Sequence, residues 1–213
     1  MASDQVERKS ETVERILDAA KDVFSEVGFA GARVDEIARR AGVNKAALYY
    51  HIGDKKALYA EVIHDIIGTA AERLMRMIKE AKTPEEKIKT YIRTLAATVD
   101  KNPQMPRIMM REIASGGTNL PEIFFHDLFS ILGTLSGIID KGKEDGEFIE
   151  TIPMIVHFMI MGAIIIYKTI VPVIFSGPAI PKILKGINKN VSGSIAQEIE
   201  TLILRAITTG GVQ

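Results

Sequence analysis

RVDEIARRAGVNKAALYYHIGDKKAL, residues 33–58, decides the fold of this chain. Its first part carries apolar residues at the spacing i, i+3, i+4 and i+7 from Val34, which predicts one face of a short amphipathic helix. Gly42 follows directly and can take the left-handed backbone that ends a helix. Asn44 is a good N-cap for a second helix, because its side chain can accept a free backbone N–H in the first turn. The stretch therefore predicts two short helices joined by a tight turn.

The second helix, over about 45–51, has few side chains to bury. Leu48 and one or two neighbours point inward, and Gly53 ends the helix before Asp54 caps the next one. The residues left for the outer surface and the helix edges are Lys45, Ala46, Ala47, Tyr49, Tyr50 and His51. A polar second helix behind a tight turn is typical of a helix-turn-helix, which lays that helix in the major groove of DNA.

At these residues the chain resembles the TetR family of bacterial transcription regulators. The matching segments are GFAGARVDEIARRAGVNKAALYYHIGDKKAL and, before it, ETVERILDAAKDVFSEVGF, which together span about the first quarter of the chain. AGV, LYYH and DKKAL stand in the family's order and spacing. The chain departs from the family at three positions. The family usually has a hydroxyl residue where this chain has Arg33, and it often has one where this chain has Ala32 and Ala47. Arg33 is expected to replace a hydroxyl–phosphate contact with a charged one, and a base contact at Ala47 is left open.

We expect the outward residues to make two kinds of contact with DNA, some with phosphates and some with bases. Hydroxyls and cations bind phosphates, while side chains at the front of the second helix reach base edges. Lys45 is the predicted base reader because lysine donates to guanine acceptors, with a plain phosphate contact as the equal alternative. Tyr50 either binds phosphate or packs under the helix, and the resemblance implies that Tyr49, His51 and Lys55 are clamps on the DNA backbone. The full predicted set is Arg33, Asn44, Lys45, Ala46, Ala47, Tyr49, Tyr50, His51 and Lys55. The alternative is a solvated face without a ligand.

The charge of the chain is unusual for a DNA-binding protein. Lysine and arginine together number 27, as do aspartate and glutamate, so the formal net charge is zero. Phosphate contacts normally supply most of the nonspecific affinity of such proteins and leave a basic footprint. Between residues 33 and 56, however, six bases face three acids, a local charge of +3. We therefore expect modest affinity for random duplex and a specificity that depends on the geometry of a dimer.

Three features bear on the compartment. The chain has no cysteine, which excludes disulfides and thiolate metal sites and fits the reducing cytoplasm, our predicted location. The start, MASDQVERKSE, lacks the apolar core of a signal peptide. The apolar run 152–175 is cut by Lys168 and Pro172 and falls short of the ~20 apolar residues that a membrane span needs. We therefore predict no membrane partner and expect this helix to be buried within an oligomer.

The remaining periodicity predicts an all-α chain. Thr83-Pro84-Glu85-Glu86 is a capping box with proline at the first helical position, so a helix starts there. The other predicted helices end near Gly28, run from Lys55 to about 81, and cover 105–114, 121–141, 154–170 and a last segment opened by Ser194 and Gln197. KGKEDGEF at 141–148 is a predicted loop, and 171–190 is a predicted connection. The predicted domains are a three-helix DNA-binding head over 8–56 and a larger helical ligand-binding and dimerisation body over 57–213.

The body is where the resemblance implies a cavity for a small molecule and a homodimer built on the last two long helices. Soft and aromatic side chains suit an adaptable apolar pocket. The predicted ligand-binding residues are Tyr91, Met105, Met109, Phe124, Phe125, Phe129, His157 and Met161. For each of them, an ordinary place in the core or interface is the alternative. His126 and His157 either form hydrogen bonds in the core or orient a ligand. Arg111 and Glu112 form either a polar network or a surface ion pair.

Three classes of function compete. The leading hypothesis is a dimeric repressor on a near-palindromic operator, with recognition helices about 34–36 Å apart, released from DNA by a small hydrophobic effector. The second is a constitutive DNA-binding or architectural protein whose body only dimerises. The third, an enzyme or a lipid carrier, has against it the lack of a paired acid/base or metal constellation and the presence of a base-rich head. No catalytic residue, metal or cofactor is predicted, because the histidines are too scattered for a zinc helix and no nucleophile or phosphate-loop motif is present.

Overall fold

The computed structural model describes residues 2–176 and 195–210, with side chains from residue 11 to residue 174 and from 195 to 210. This part of the chain is all-α, as predicted, and its single β pairing is an isolated bridge between Phe148 and Thr208. The helices are α1 (Ala2–Gly31), α2 (Val34–Ala41), α3 (Lys45–His51), α4 (Lys55–Ile78), α5 (Pro84–Lys101), α6 (Met105–Ala114), α7 (Glu122–Glu144), α8 (Pro153–Ser176) and α9 (Ile195–Ile207).

The chain divides into two compact units that do not follow the predicted domain boundary. The first unit comprises Met1–Thr69 and Pro103–Asp127, and the second comprises Ala70–Asn102 and Leu128–Gln213. Helix α6 therefore packs with the helix-turn-helix, mainly against α1, although the sequence assigns it to the body. The predicted functional division into 8–56 and 57–213 stays a prediction.

In the first unit, α1 bends at a glycine and brings an aromatic cluster together. Gly28 has φ 70° and ψ 176°, a backbone that side-chain-bearing residues rarely adopt, so the helix breaks there as predicted and a short helical segment follows as far as Gly31. The bend places Phe29 against Tyr59 of α4, with ring centroids 5.1 Å apart. Phe24 packs edge-on to the same Tyr59 ring at 4.7 Å. These three rings join α1 to α4.

A buried polar network joins α6 to α1 and α4 within the same unit. The Tyr59 hydroxyl donates a hydrogen bond of 2.8 Å to the carboxylate of Glu112, which is only 4% exposed. Burial raises the pKa of Tyr59, so its hydroxyl stays protonated and able to donate. The Arg111 guanidinium donates to the backbone carbonyls of Ser25 at 3.1 Å and of Glu26. Arg111 and Glu112 thus form the polar network, and the surface ion pair that was its alternative is wrong.

In the second unit, α5 is the central helix. Its capping box at Thr83 and Glu86 forms as predicted, and Ile88, Tyr91 and Ile92 are fully buried. Arg93 donates two hydrogen bonds of 2.8 Å to the buried carboxylate of Glu200 and so ties α5 to α9. A second ion pair, between Lys168 and Asp100, ties α8 to α5. The second unit is therefore held by one apolar core and two interhelical ion pairs.

Two predicted boundaries are wrong. Helix α7 continues to Glu144, so half of the predicted KGKEDGEF loop is helical. Gly142 leaves room for the ring of Phe148 to fold back on this last turn, because a Cβ at residue 142 would stand 2.1 Å from that ring. Helix α8 runs through Pro172 to Ser176, although proline was expected to interrupt it. A proline removes one N–H donor and can kink a helix without ending it. Residues 177–190 of the predicted connection and the capping residue Ser194 lie outside the described residues.

Helices α7 and α8 are also long and apolar enough to cross a membrane by length and composition alone. The core helices of soluble proteins that share this length and composition are mostly buried, whereas the apolar windows of α7 and α8 are 33% and 22% buried. In the single chain α8 leaves many apolar side chains exposed, among them Ile155, Phe158, Met159, Ile166 and Ile170. Its predicted burial in an oligomer stays a prediction, and such a face calls for a covering partner.

The Tyr59–Glu112 hydrogen bond is expected to contribute measurably to stability. Replacing Tyr59→Phe leaves the buried Glu112 carboxylate without this donor while the ring packing is kept, so the free energy of unfolding should fall by about 1–3 kcal/mol. Urea unfolding followed by circular dichroism measures the change. Tyr50→Phe is the matched control, since that hydroxyl is exposed and its loss should change stability little. Equal midpoints for Tyr59→Phe and the wild type would contradict the assignment.

Candidate functional site

The turn between α2 and α3 is built as the sequence predicts. Gly42 has φ 66° and ψ 33°, and its N–H donates to the carbonyls of Ala38 and Arg39 at the end of α2. The Asn44 side chain accepts the N–H of Ala47 at 2.7 Å and so caps α3. Leu48 is fully buried beneath the helix. A left-handed glycine, a side-chain cap and one buried leucine therefore hold the second helix in place.

The outer side of α3 presents the side chains predicted to meet DNA. Tyr50 is 80% exposed and Tyr49 is 44% exposed, so the alternative in which Tyr50 packs under the helix is wrong. Lys45 and Ala46 are exposed, and Ala47 is half-buried. His51 is half-buried, and its Nδ1 atom is buried without a hydrogen-bond partner. A phosphate contact by His51 would therefore use its other ring nitrogen.

Acidic side chains pair with three of the six nearby cations, Arg39, Arg40 and Lys45. Lys45 at the start of α3 lies 2.9 Å from one carboxylate oxygen of Asp35 on α2 and 3.1 Å from the other. Glu36 accepts hydrogen bonds from both Arg39 and Arg40 at 2.7–2.9 Å. These two guanidinium groups lower the pKa of Glu36 to about 2, so the carboxylate stays charged at any pH at which the protein binds DNA.

Arg40 also reaches back to the first helix. Its guanidinium donates two hydrogen bonds of 2.7 and 2.8 Å to Glu26, and this contact lowers the pKa of Glu26. Arg40 therefore braces α2 on α1 and is already committed to two carboxylates. The role of these acids was not foreseen from the sequence. The spacing of Glu36 to Arg39 and Arg40 signals such pairs, whereas the contacts of Asp35 and Glu26 join separate helices.

Two predicted DNA-binding residues, Lys55 and Arg33, differ in how far the protein itself already engages their side chains. The Lys55 ammonium donates to the carbonyl of Ala32 at 3.0 Å and of Ala30 at 3.4 Å, and it stands 4.6 Å from the centre of the Phe29 ring. The Lys55 side chain therefore caps backbone carbonyls at the C-terminal end of α1. Arg33 is exposed at the N-cap of α2 and makes no side-chain capping bond there.

The predicted ligand-binding residues are divided between the two units. Met105, Met109, Phe124 and Phe125 belong to the first unit, and Tyr91, Phe129, His157 and Met161 belong to the second. Their burial differs as well. Met105 and Met109 are core residues, while Phe125 and Phe129 are largely exposed. Neither unit by itself brings the whole predicted set together. His126, a predicted core or ligand-orienting residue, is also exposed.

Within the second unit, Tyr91 and His157 form a buried polar pair. The Tyr91 hydroxyl lies 2.7 Å from His157 Nδ1, and His157 is 5% exposed. Burial lowers the pKa of His157 to about 4 and raises the pKa of Tyr91, so both groups are neutral near pH 7. A neutral pair of this kind can exchange hydrogen bonds with an uncharged polar group of a ligand.

The second unit also has a polar cleft that the sequence did not predict. It measures about 530 Å³ and lies between α5 and α9, where Lys89, Arg93, Gln197, Glu200 and Arg205 line it. None of the predicted ligand-binding residues takes part in it. Among the described residues, no group of three histidine, cysteine or acidic side chains is placed to hold a metal ion.

Comparison with known proteins gives the geometry a context. The family described as "Bacterial regulatory proteins, tetR family" matches residues 16–62. The HTH-type transcriptional regulator RutR of Escherichia coli (strain K12) is 32% identical over 157 residues, which cover 74% of this chain and 74% of RutR. The Fatty acid metabolism regulator protein of Bacillus subtilis (strain 168) is 26% identical and covers 70% of this chain and 78% of its own length. These relatives are regulators rather than enzymes.

Solved structures share the fold. The hemolysin II transcriptional regulator HlyIIR has a TM-score of 0.65 at 24% identity, over 94% of this chain and 98% of its own. The transcriptional regulator FadR from Bacillus subtilis, solved in complex with stearoyl-CoA, has a TM-score of 0.68 at 21% identity, over 94% of this chain and 99% of its own. At this level of identity the likeness concerns the fold alone.

The buried His157 predicts a pH dependence of stability. Its folded pKa lies below its ordinary value, so the unfolded chain binds a proton that the folded chain excludes. The stabilisation is therefore complete above about pH 6.5 and is lost as the pH falls toward about 4. Across that window wild type should lose about 2–3 kcal/mol more than His157→Gln, which carries no titrating group. Denaturant titrations at several pH values measure the difference, and parallel curves for the two proteins would refute it.

Proposed function

This chain belongs to the TetR family and is a DNA-binding transcriptional regulator, and within that role we propose that it is a dimeric repressor released from its operator by a small hydrophobic ligand. The observation that carries the proposal is the helix-turn-helix itself. Helix α3 buries only Leu48 and turns Tyr49, Tyr50 and Lys45 outward from a firmly capped turn. Packing within the protein does not account for the polar outer side of this seven-residue helix, whereas contact with the major groove of DNA does.

We assign the DNA contacts by chemistry and exposure. Arg33 and the two tyrosines supply donors to phosphate oxygens, and Lys45 reaches a base edge. Ala46 and Ala47 are small enough to let the helix approach the groove and to contact a thymine methyl group. The proposed set remains Arg33, Asn44, Lys45, Ala46, Ala47, Tyr49, Tyr50, His51 and Lys55, in which Asn44 and Lys55 act chiefly by holding the motif in shape.

The dimer is proposed from the exposed apolar face of the second unit. Helix α8 exposes Ile155, Phe158, Met159 and Ile166, and Leu202 on α9 is also largely exposed. A two-fold axis would pair this face with itself, and each partner then buries about 800 Å² in an interface of ordinary size. Two recognition helices about 34–36 Å apart select a near-palindromic operator. Such a dimer belongs in the bacterial cytoplasm, where it meets its DNA.

The effector is proposed to bind in the second unit near the Tyr91–His157 pair. This pair is a buried, uncharged polar group of the second unit, so it favours a ligand with a long apolar part and one polar anchor. A relative of the same fold binds stearoyl-CoA, which makes that molecule a suitable first probe. The ligand can release DNA only as far as it binds the released conformer more tightly than the DNA-bound one.

Operator binding is the first test of this proposal. Repeated selection from a random duplex library, followed by footprinting, should yield a protected inverted repeat. Lys45→Ala should lower operator affinity by about 1–3 kcal/mol and relax the preference at one base pair per half-site. If Lys45 instead contacts phosphate, the loss is uniform across sequences. Lys82→Ala, at an exposed lysine outside the motif, is the matched control. Recovery of no preferred duplex by wild type would reject DNA recognition by this chain.

Ligand response is the second test. Stearoyl-CoA is expected to raise the melting temperature of the protein and to weaken its binding to the selected operator, because a ligand of the folded state stabilises it. Coenzyme A without the acyl chain is the control and should do neither if the apolar part supplies the affinity. A series of apolar carboxylic acids extends the assay to other effectors. Operator binding that no ligand alters would instead favour a constitutive DNA-binding protein.

A further inference from the structure

Half of the cations of the helix-turn-helix are paired with carboxylates in this structure. Of the six bases between residues 33 and 56, three are held by carboxylates: Arg39 and Arg40 by Glu36, and Lys45 by Asp35. Arg39 and Arg40 are on α2, whereas Lys45 begins the recognition helix. The Lys45–Asp35 pair is therefore the ion pair placed where a base would be read.

The geometry of this pair leaves part of the ammonium available. Lys45 lies 2.9 and 3.1 Å from the two oxygens of Asp35, so two of its three N–H donors can be used there. Both side chains remain accessible, with 51% of Lys45 and 70% of Asp35 exposed. The third donor is free to reach another acceptor while the ion pair stays intact.

We propose that Asp35 is a positioning residue that sets the ratio of operator affinity to random-duplex affinity by holding Lys45 as half of a neutral pair. The proposal rests on the proposed function, because it requires that α3 enter the major groove. It adds a role for an acidic side chain of α2 that touches no base itself.

The physical reason lies in the charge of the two kinds of DNA acceptor. Guanine N7 and O6 are uncharged, so Lys45 can donate to them while its ion pair with Asp35 is retained. A phosphate is an anion, and a lysine that moves to it leaves the Asp35 carboxylate unpaired beside a row of like charges. On random duplex the gain of one ion pair is thus offset by the loss of another. Asp35 thereby weakens the sequence-independent contact and leaves the base contact in place.

Stability does not explain the pair. An exposed ion pair between two long side chains typically contributes little to folding, because solvent screens it and both chains lose rotamer freedom. Asp35 does stand in the first turn of α2, where an acid favours the positive end of the helix dipole, and Asn retains only part of that effect. Folding of each variant is therefore checked by circular dichroism before DNA binding is compared.

Asp35→Asn tests the proposal with the full-length protein. Its association constant for random duplex should rise about three- to tenfold, and the slope of log K against log salt between about 50 and 200 mM should steepen by up to about 0.9, the contribution of one newly available phosphate contact. The association constant for the selected operator should change less than twofold. Asp35→Glu keeps the charge and should preserve the wild-type ratio.

Two controls separate this mechanism from general electrostatics. Asp18→Asn removes one exposed carboxylate from the same unit and changes net charge equally, while Lys21 keeps its second partner, Asp65. It should leave both affinities close to wild type. The second control repeats Asp35→Asn in a Lys45→Ala background, where the gain on random duplex should disappear, since Asp35 acts through Lys45.

Each other outcome overturns the proposal. If Asp35→Asn matches the wild type on both duplexes, the ion pair has no effect on recognition. If both affinities rise equally, or if the gain persists without Lys45, Asp35 repels DNA in bulk and sets no ratio. Failure of the proposed function looks different, because the wild type itself would then select no duplex and show no operator against which a ratio is measured.

Discussion

The recognition helix is too short to stand alone, and the rest of the first unit serves to hold it. An isolated helix of seven residues is far below the ~12–15 residues at which helices become even marginally stable in water. Helix α3 buries a single leucine, so its own packing needs the support of the turn and the cap beside it. What fixes it are the left-handed Gly42 before it, the Asn44 cap at its start and the Leu48 side chain beneath it. Because α3 is held in this way, the side chains on its outer side are not needed for packing and can contact DNA.

Several charged side chains of the first unit also serve to hold the structure together. The chain as a whole has no net charge, and carboxylates of the first unit pair with several of its cations, among them Arg39, Arg40 and Lys45. Arg40 is divided between Glu26 and Glu36, so its charge braces α1 and α2 rather than a phosphate. Lys55 is similarly engaged at the end of α1. Recognition is therefore left to the few groups that remain outward, and their geometry matters more than their number.

The second unit shows a different balance, in which apolar surface dominates and polar groups are few and paired. The buried pair of Tyr91 and His157 is neutral, which avoids the cost of an isolated charge in an apolar interior. Glu200 is buried but bound by the fork of Arg93. The outer side of α8 has no such compensation, because its apolar side chains face outward in the single chain. The buried polar groups of the second unit are hydrogen-bonded, whereas the apolar side chains on the outer side of α8 are uncovered. This contrast is the physical basis for assigning α8 to an interface.

The sequence by itself determined the helix-turn-helix, its caps and the all-α class, because these depend on interactions between residues three or four positions apart. Gly42, Asn44 and the capping box at Thr83 could all be found from spacing. Tertiary structure decided what spacing cannot encode. Only the folded chain brings Asp35 to Lys45 and places α6 with the helix-turn-helix, and it separates the predicted pocket residues into two units. These features join residues distant in the sequence, so packing geometry, rather than local propensity, selects them.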